Sequence, residues 1–438
     1  MRRPRNARSK PARFAKVAVA GALIPLSLTL GACAGGGSGS SSGGKTTLRI
    51  TWWGNPERAK ATQDAIALFE KAHPDVKVEA QPSAYPGYYD KLNTQITAGD
   101  APDVFQVDTV TKYASKGSLA DLGQYKDVLD TSAIDPAFLA QGSYQDKLYE
   151  VPAGSNPFAL LYNAAAVQKA GATAPTSGMT WQQYADLAKA ISAKGGGKTW
   201  GAADDSANVQ AFEIFVRQRG GNLYSADGKK LGFTAADLTA WWQYWADLRK
   251  SGAVPPATVT EPGVTGDVTK VPIAKGLVAM DAYGTSTTLP GEDWKYVGLP
   301  GETAAKPGAY LKRSVNWGVY GHSKHAKEAA ELVSFLVNDS AAGQKLGITR
   351  GAPANSKVLA ALTPALSGTA QQVAQYTAYV GKPGNNSAAP PPSPAASTQI
   401  ETDLFVRMAE NVWFGKADVA KAAEDFVKQA EQQLTDGF

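Results

Sequence analysis

Thr47-Leu48-Arg49-Ile50-Thr51-Trp52-Trp53-Gly54-Asn55-Pro56-Glu57 begins by alternating and then stops. Leu48, Ile50 and Trp52 fall on one face of an extended chain, and Thr47, Arg49, Thr51 and Trp53 fall on the other. That is the period of a strand. Asn55 then offers a side-chain acceptor, Pro56 a preset φ at the first helical position, and Glu57 a negative charge at the positive end of a helix. Ala65, Ile66, Leu68 and Phe69 supply one helical face, which His73-Pro74 ends. Val76-Lys77-Val78 predicts a second strand, Tyr88–Ala98 a helix closed by Gly99, and Asp103–Asp108 a third strand. Strand, helix, strand, helix, strand is the order of an α/β domain with parallel pairing.

The pattern continues outward. Leu148–Pro152 and Ala159–Tyr162 predict strands. Thr180-Trp181-Gln182-Gln183 is a capping box opening a helix with Tyr184, Leu187, Ala188 and Ile191 on one side. Phe212–Arg219 and Ala235–Lys250 predict helices, and Leu277–Met280, Tyr296–Leu299 and Val315–Tyr320 predict strands. A helix over Ala326–Val337 follows. Thr398-Gln399-Ile400-Glu401 predicts a second capping box opening Asp403–Val412, and Val419–Leu434 is the last helix. Gly381–Ser397, rich in Pro, Gly, Ser and Ala, predicts a long surface loop. No short-period repeat is present.

Composition bounds the function. At 438 residues, two domains are the default. With 43% hydrophobic and 19% charged residues, the chain is neither disordered nor collagen-like. The net charge of +5 is misleading, because residues 1–32 hold seven basic residues and no acid. Without them Lys and Arg fall from 44 to 37 against 39 Asp and Glu, so the body carries −2. Nucleic acid, which demands a basic surplus, is excluded as the main partner. The single cysteine excludes a disulfide framework and any multi-cysteine metal centre.

The N-terminus reads as an address. Basic residues end at Lys16, and Val17 to Leu30 is uncharged, the length of a signal-peptide apolar region. Leu30-Gly31-Ala32-Cys33 resembles a bacterial lipobox, in which Cys33 is lipidated. Residues 1–32 are thus expected to be a lipoprotein signal peptide, and 33–44 a Gly/Ser tether. The expected location is outside the cell, lipid-anchored at the outer face of the bacterial membrane.

Chemical motifs are sparse. Gly195-Gly196-Gly197-Lys198 follows a helix rather than a strand, so it is no phosphate loop. The only Gly-x-Ser-x-Gly match lies in the tether around Ser38. His322 and His325 sit at a helix start with no acidic third ligand near in sequence, so no metal site and no cofactor are expected. The aromatic residues say more. Trp241, Trp242 and Trp245 share helical spacing with Leu238 and Leu248 and predict core. Trp52-Trp53, in contrast, ends a strand, and in open α/β sheets ligands bind beyond strand carboxyl ends. Tyr85, Tyr88 and Tyr89 follow, and Tyr283-Gly284 and Asn316-Trp317-Gly318 occupy further strand ends. Flat rings beside amides and carboxylates suit sugars, whose CH faces stack while their hydroxyls bond polar groups.

The ordered set of motifs resembles a family. It runs from Trp52-Trp53-Gly54 through Phe69-Glu70-Lys71-Ala72-His73-Pro74-Asp75-Val76-Lys77-Val78 to Ala98-Gly99-Asp100-Ala101-Pro102-Asp103-Val104. It continues with Lys147–Pro152, Leu161-Tyr162-Asn163, Thr180-Trp181, Gly276–Met280, Ala329–Leu336 and Arg350-Gly351-Ala352-Pro353-Ala354-Asn355. This resembles the large extracellular solute-binding proteins of ABC importers, the class containing maltose-binding protein. The resemblance implies a two-lobed α/β periplasmic-binding-protein fold of type II, with a hinge and a central ligand cleft. By analogy, lobe one is 45–153 with 309–338 and lobe two 154–308 with 339–438. It implies a monomer that binds an oligosaccharide, closes, and delivers it to membrane permease subunits without chemistry of its own. The ligand residues it implies are Trp53, Asn55, Arg58, Asp108, Thr109, Asn156, Tyr283, Ser286, Trp317 and Arg350. Arg58 and Arg350 are similar to residues of members that bind pectin-derived acidic sugars, where a guanidinium pairs with a uronate carboxylate. Neutral oligosaccharide stands ahead of that acidic ligand.

Two other readings stay open. A surface-anchored glycosidase needs two carboxylates about 5–10 Å apart across the sugar. The same fold with a non-sugar ligand would use a tyrosine pair for iron, or acids for a polyamine. Trp53→Ala is expected to abolish binding with little loss of stability, and Trp245→Ala to destabilise as a core deletion.

Overall fold

The computed structural model describes residues 45–261, 269–286, 289, 294–303, 306, 308–391, 393–394 and 396–436. The expected signal peptide, Cys33 and the tether lie outside them.

The strands form two main sheets. The first contains β1 (Thr46–Trp53), β2 (Val76–Ser83), β3 (Val104–Val107), β4 (Glu150–Ser155), β9 (Arg313–Val319) and β10 (Ala352–Pro353), in the order β10-β4-β9-β3-β1-β2. The second contains β5 (Phe158–Asn163), β6 (Trp200–Ala202), β7 (Val278–Gly284) and β8 (Trp294–Val297), in the order β8-β5-β7-β6. The expected parallel pairing holds for β1 with β2 and β3. Beyond them the first sheet is mixed, because β9 returns from the second sheet and inserts antiparallel between β3 and β4. In the second sheet only β6 and β7 are parallel.

The opening stretch folds as its residues dictate. Asn55 Oδ1 accepts from the Arg58 amide at 2.9 Å, starting α1 (Pro56–Ala72). Leu48, Ile50 and Trp52 of β1 are buried with Ala65, Ile66 and Phe69 of α1 and with Leu332, Val333 and Leu336 of α7 (Ala326–Asn338). The opposite face of the sheet is buried too. Trp53, Phe105 and Val107 pack with Tyr88 and Leu92 of α2 (Tyr88–Thr97) and Val110 and Tyr113 of α3 (Val110–Ala114).

A second core lies on the smaller sheet. It joins α4 (Trp181–Lys194), α5 (Val209–Gln218), α6 (Ala235–Lys250), α9 (Phe405–Trp413) and α10 (Val419–Asp436) through Trp181, Phe212, Trp241, Trp242, Trp245, Phe405 and Phe426. Polar contacts order this aromatic mass. The indoles of Trp241 and Trp242 both donate to Ser206 O, at 3.1 and 3.0 Å, and Trp413 donates to Ser206 Oγ at 2.6 Å.

The Thr180 capping box is present in both directions, at 3.2 Å to the Gln183 amide and 2.8 Å back to the Thr180 amide. Thr180→Ala is expected to lower stability by about 1 kcal/mol in urea unfolding, with an unchanged m value. The second box does not form. Ser397–Gln399 is already helical and runs through a π turn at Ile400–Leu404 into α9. Thr398 is therefore inside the helix, where its carbonyl accepts from Thr402 Oγ1, and Glu401 accepts from Tyr224 instead. Residues 340–362, expected with the second lobe, stand on the first sheet. Ala352 pairs with Ser155, and α8 (Ser340–Leu346) packs on α1.

Candidate functional site

A cavity of about 720 Å³ lies where the chain crosses between the two sheets. Asp108 and Thr109, just past β3, form part of its wall, with Arg313 and Ser314 from β9. The facing wall is Glu213 of α5, Tyr224 and Glu401, and Tyr310 and Lys312 come from the crossing segment. Ala389, Pro390, Pro391, Ser393 and Pro394 border it, so the proline-rich loop is part of the cleft. Ser387 anchors that loop by donating its amide to Ala309 O at 2.8 Å.

The polar groups are held in place. Arg313 Nη1 donates to Asp108 O at 2.6 Å, and Thr109 Oγ1 donates to Asp108 Oδ1 at 3.0 Å. Tyr310 donates to the Glu213 carboxyl at 3.3 Å, and Tyr224 donates to Glu401 Oε1 at 2.9 Å. Burial raises the pKa of both glutamates, while Lys312 opposes that rise at each. Glu150, buried at the start of β4, is pushed up to about 7 by desolvation, against the opposing hydrogen bond from Asn316 Nδ2.

The structure separates the residues that the sequence grouped. Of the ten candidates, Asp108 and Thr109 line the cavity. Asn156, between β4 and β5, hydrogen-bonds Ser286 through Nδ2 and accepts from Thr285 Oγ1 at 2.9 Å. Asn156 and Ser286 thus meet, but by tying the crossing to the end of β7. Tyr283 bonds the buried carboxyl of Asp281. Trp53 is 9% exposed and sits 5.0, 5.4 and 5.8 Å from the rings of Tyr88, Tyr89 and Tyr85. Of these rings, only Tyr85 is largely exposed. Asn55 is committed to its helix cap.

Three of the candidates stand apart from the large cavity. Trp317 is 1% exposed, because β9 is an interior strand and this position faces α7; its ring has no face for a solute. Arg350 is equally enclosed, its Nε donating to Gln106 Oε1 at 2.7 Å. Arg58 is turned onto backbone, with Nε to Thr349 O at 2.8 Å and Nη1 to Trp53 O at 3.2 Å. Neither arginine lines the large cavity, so the argument for a uronate there loses its basis. Glu213, Tyr224, Tyr310, Lys312 and Glu401 escaped the sequence reading. One signal was available: Glu213 is a lone carboxylate between Phe212 and Ile214-Phe215-Val216, an otherwise apolar run of α5.

Asp281 of β7 shares a hydrogen bond with Asp205, and burial raises both, Asp281 to about 7. The folded chain therefore holds a proton that the unfolded chain releases above about pH 4. Stability should fall as pH rises from about 4 to 7, with a slope on the order of 1 kcal/mol per pH unit. Denaturation midpoints between pH 4.5 and 8 test this. Asp281→Asn should reduce the slope without abolishing it, because burial also raises Asp205 and Glu150, and an unchanged slope would assign it to those groups.

A hydroxyl-, carboxyl- and amine-lined cleft of this size can hold a polar solute through many hydrogen bonds. Among the described residues no group of three or more His, Cys, Asp or Glu could hold a metal ion. Residues 64–377 match the sequence profile described as bacterial extracellular solute-binding protein. An extracellular solute-binding protein family 1 structure from Alicyclobacillus acidocaldarius is 31% identical, with a TM-score of 0.76, covering 89% of this chain and 99% of that one. An uncharacterised lipoprotein of Streptomyces antibioticus is 29% identical over 181 residues, 40% of this chain and 39% of that protein. The galactooligosaccharide-binding protein of Bacillus subtilis is 31% identical over 140 residues, 32% of each chain. The matched stretches thus span less than half the length of both curated relatives.

Proposed function

The chain belongs to the bacterial extracellular solute-binding proteins, and from that premise we propose that it is the membrane-anchored binding component of an ABC sugar importer, holding an oligosaccharide in the cleft between its two lobes. The observation that carries this reading is the 720 Å³ cavity walled on one side by the end of β3 and by β9 and on the other by α5, Tyr224 and Glu401. Its carboxyl oxygens, tyrosine hydroxyls and ammonium match the paired donors and acceptors of sugar hydroxyls. The galactooligosaccharide-binding relative supports a neutral ligand, as does the seclusion of Arg58 and Arg350. The lipoprotein relative and the Leu-Gly-Ala-Cys33 sequence support a lipid anchor at the outer face of the membrane. Each sheet would be the core of one lobe, with residues 340–362 belonging to the first.

In this reading Asp108 and Thr109 contact the sugar from the first lobe, and Glu213 and Glu401 from the second. Tyr85 supplies the exposed aromatic face, with Trp53 supporting it from beneath. Asn156 and Ser286 brace the hinge and Tyr283 braces β7. The loaded, closed form is the one a permease would accept, and the chain itself would carry out no reaction.

Thermal shift of the purified protein against neutral and uronate-containing oligosaccharides tests this. A ligand at a hundred times its Kd adds about 2.7 kcal/mol, enough to move the midpoint visibly. Asp108→Ala and Glu401→Gln should each weaken binding of the responding sugar about tenfold or more, by removing a charged acceptor. A protein indifferent to every sugar, or one that hydrolyses them, would end this reading.

A further inference from the structure

Arg350 enters the protein from the turn between α8 and β10 and is 6% exposed. Its guanidinium lies 4.8 Å from the Trp317 ring and 6.0 Å from the Trp52 ring. The Nε position is satisfied by Gln106, but Nη1 and Nη2 have no hydrogen-bond partner among the described residues. Burial and the nearby Arg58 charge both push its pKa down, opposed by Tyr88 and, among the described residues, by no carboxylate. The turn carrying Arg350 helps enclose a cavity of about 20 Å³, with Ala153, Trp317, Gly347, Thr349 and Val358 among its walls.

We propose that this cavity binds one small monovalent anion, chloride in the first instance, on Nη1 and Nη2 of Arg350 with Arg58 alongside. A guanidinium keeps its proton in a protein, so burial cannot neutralise it. A buried cation needs a counter-charge, and here a second cation stands beside it instead. The two indole faces attract the cation but leave its in-plane N–H groups free. Water could take those N–H groups but would leave the charge. The volume exceeds the roughly 10–15 Å³ that one water requires, and a halide is little larger, whereas a sugar ring does not fit.

The anion would have structural reach. Arg58 Nη1 and Gln106 Nε2 both point to Trp53 O, at 3.2 and 3.4 Å, and Gln106 also holds Arg350. Filling the site would hold β1, β3 and the Thr349–Arg350 turn together behind the Trp53 ring. The inference does not depend on the identity of any sugar.

Calorimetric melting of the purified protein in sodium gluconate, chloride and bromide at equal ionic strength tests it. Chloride and bromide should raise Tm by about 1–2 °C for each tenfold increase beyond half-saturation, and gluconate should not. Arg350→Met should remove the halide response, and Arg58→Gln should move it to higher concentration. Crystals grown in bromide should show an anomalous peak beside the Arg350 Nη atoms. Equal Tm in wild type across the three salts overturns the proposal, as does a halide response that persists in Arg350→Met. Digalacturonate raising Tm through Arg350 while chloride does not would also overturn it, assigning the guanidinium to a ligand carboxylate. A sugar panel without effect leaves this result independent.

Discussion

Trp245→Ala is expected to destabilise the folded chain by about 3–5 kcal/mol, the range for emptying a fully buried aromatic position. Trp245 is 1% exposed, and its ring lies 5.4 Å from Trp241, 5.3 Å from Tyr244 and 6.4 Å from Tyr184. These neighbours come from α6 and α4 and are themselves locked by packing, so they cannot collapse far into the space left behind. The indole Nε1 has no hydrogen-bond partner among the described residues, so the loss is one of packing rather than of a polar contact. Guanidinium unfolding should show a lower midpoint with the same m value. A loss below about 1 kcal/mol would mean that the aromatic cluster repacks, contrary to a close-packed interior. Trp53→Ala makes a useful comparison. The sequence predicts little loss of stability there, but the 9% exposure of Trp53 and its three tyrosine neighbours add a core penalty to any effect on binding.

Arg249→Met is expected to lower stability by a similar amount, about 3–5 kcal/mol, because it leaves a buried carboxylate without its counter-ion. Arg249 meets Asp204 Oδ2 through Nε at 2.8 Å and Nη2 at 2.6 Å, and the Asp204 side chain is fully buried. Asp204 Oδ1 accepts from Ser206 Oγ at 2.6 Å, and Ser206 in turn receives the indoles of Trp241, Trp242 and Trp413. The ion pair therefore anchors the polar group on which three tryptophans are registered. Near-UV circular dichroism should change along with the midpoint. Adding Asp204→Asn to Arg249→Met should recover part of the loss, since the unpaired charge goes with it. Strict additivity of the two substitutions would show that the pair is not coupled.

How much was legible follows from the range of each interaction. β1 and α1 could be read from eleven consecutive residues, because alternation and capping act between near neighbours. The tryptophans of α6 could be assigned to the core by spacing alone. Thr398 shows the limit of such reading. It carries a capping-box pattern, yet the helix starts before it, since Tyr224 claims Glu401 from elsewhere in the chain.

The candidate site was less legible. Asp108 and Thr109 lie at a strand's carboxyl end, where a general rule of α/β sheets puts ligands. Trp317 satisfied the same kind of local reasoning and Arg350 was implied by the family resemblance, and both are buried. Their positions depend on β9 inserting between β3 and β4 and on β10 closing the sheet edge, pairings that join residues far apart in sequence. Glu213 and Glu401, separated by nearly two hundred residues, face one cavity for the same reason.

The sequence by itself determined the α/β class, the first three parallel strands, the capped helices, the aromatic core of α6 and the family to which the motifs point. All but the family, which rests on the resemblance of the ordered motifs, are written in the spacing of neighbouring residues, where backbone period and side-chain polarity act directly. Only the tertiary structure decided which aromatics and arginines are buried, which carboxyls share a cleft, and that Arg350 is enclosed beside Trp317 with Nη1 and Nη2 unpartnered among the described residues. Those outcomes depend on strand order and on the direction each distant segment faces once packed, and no local period encodes either.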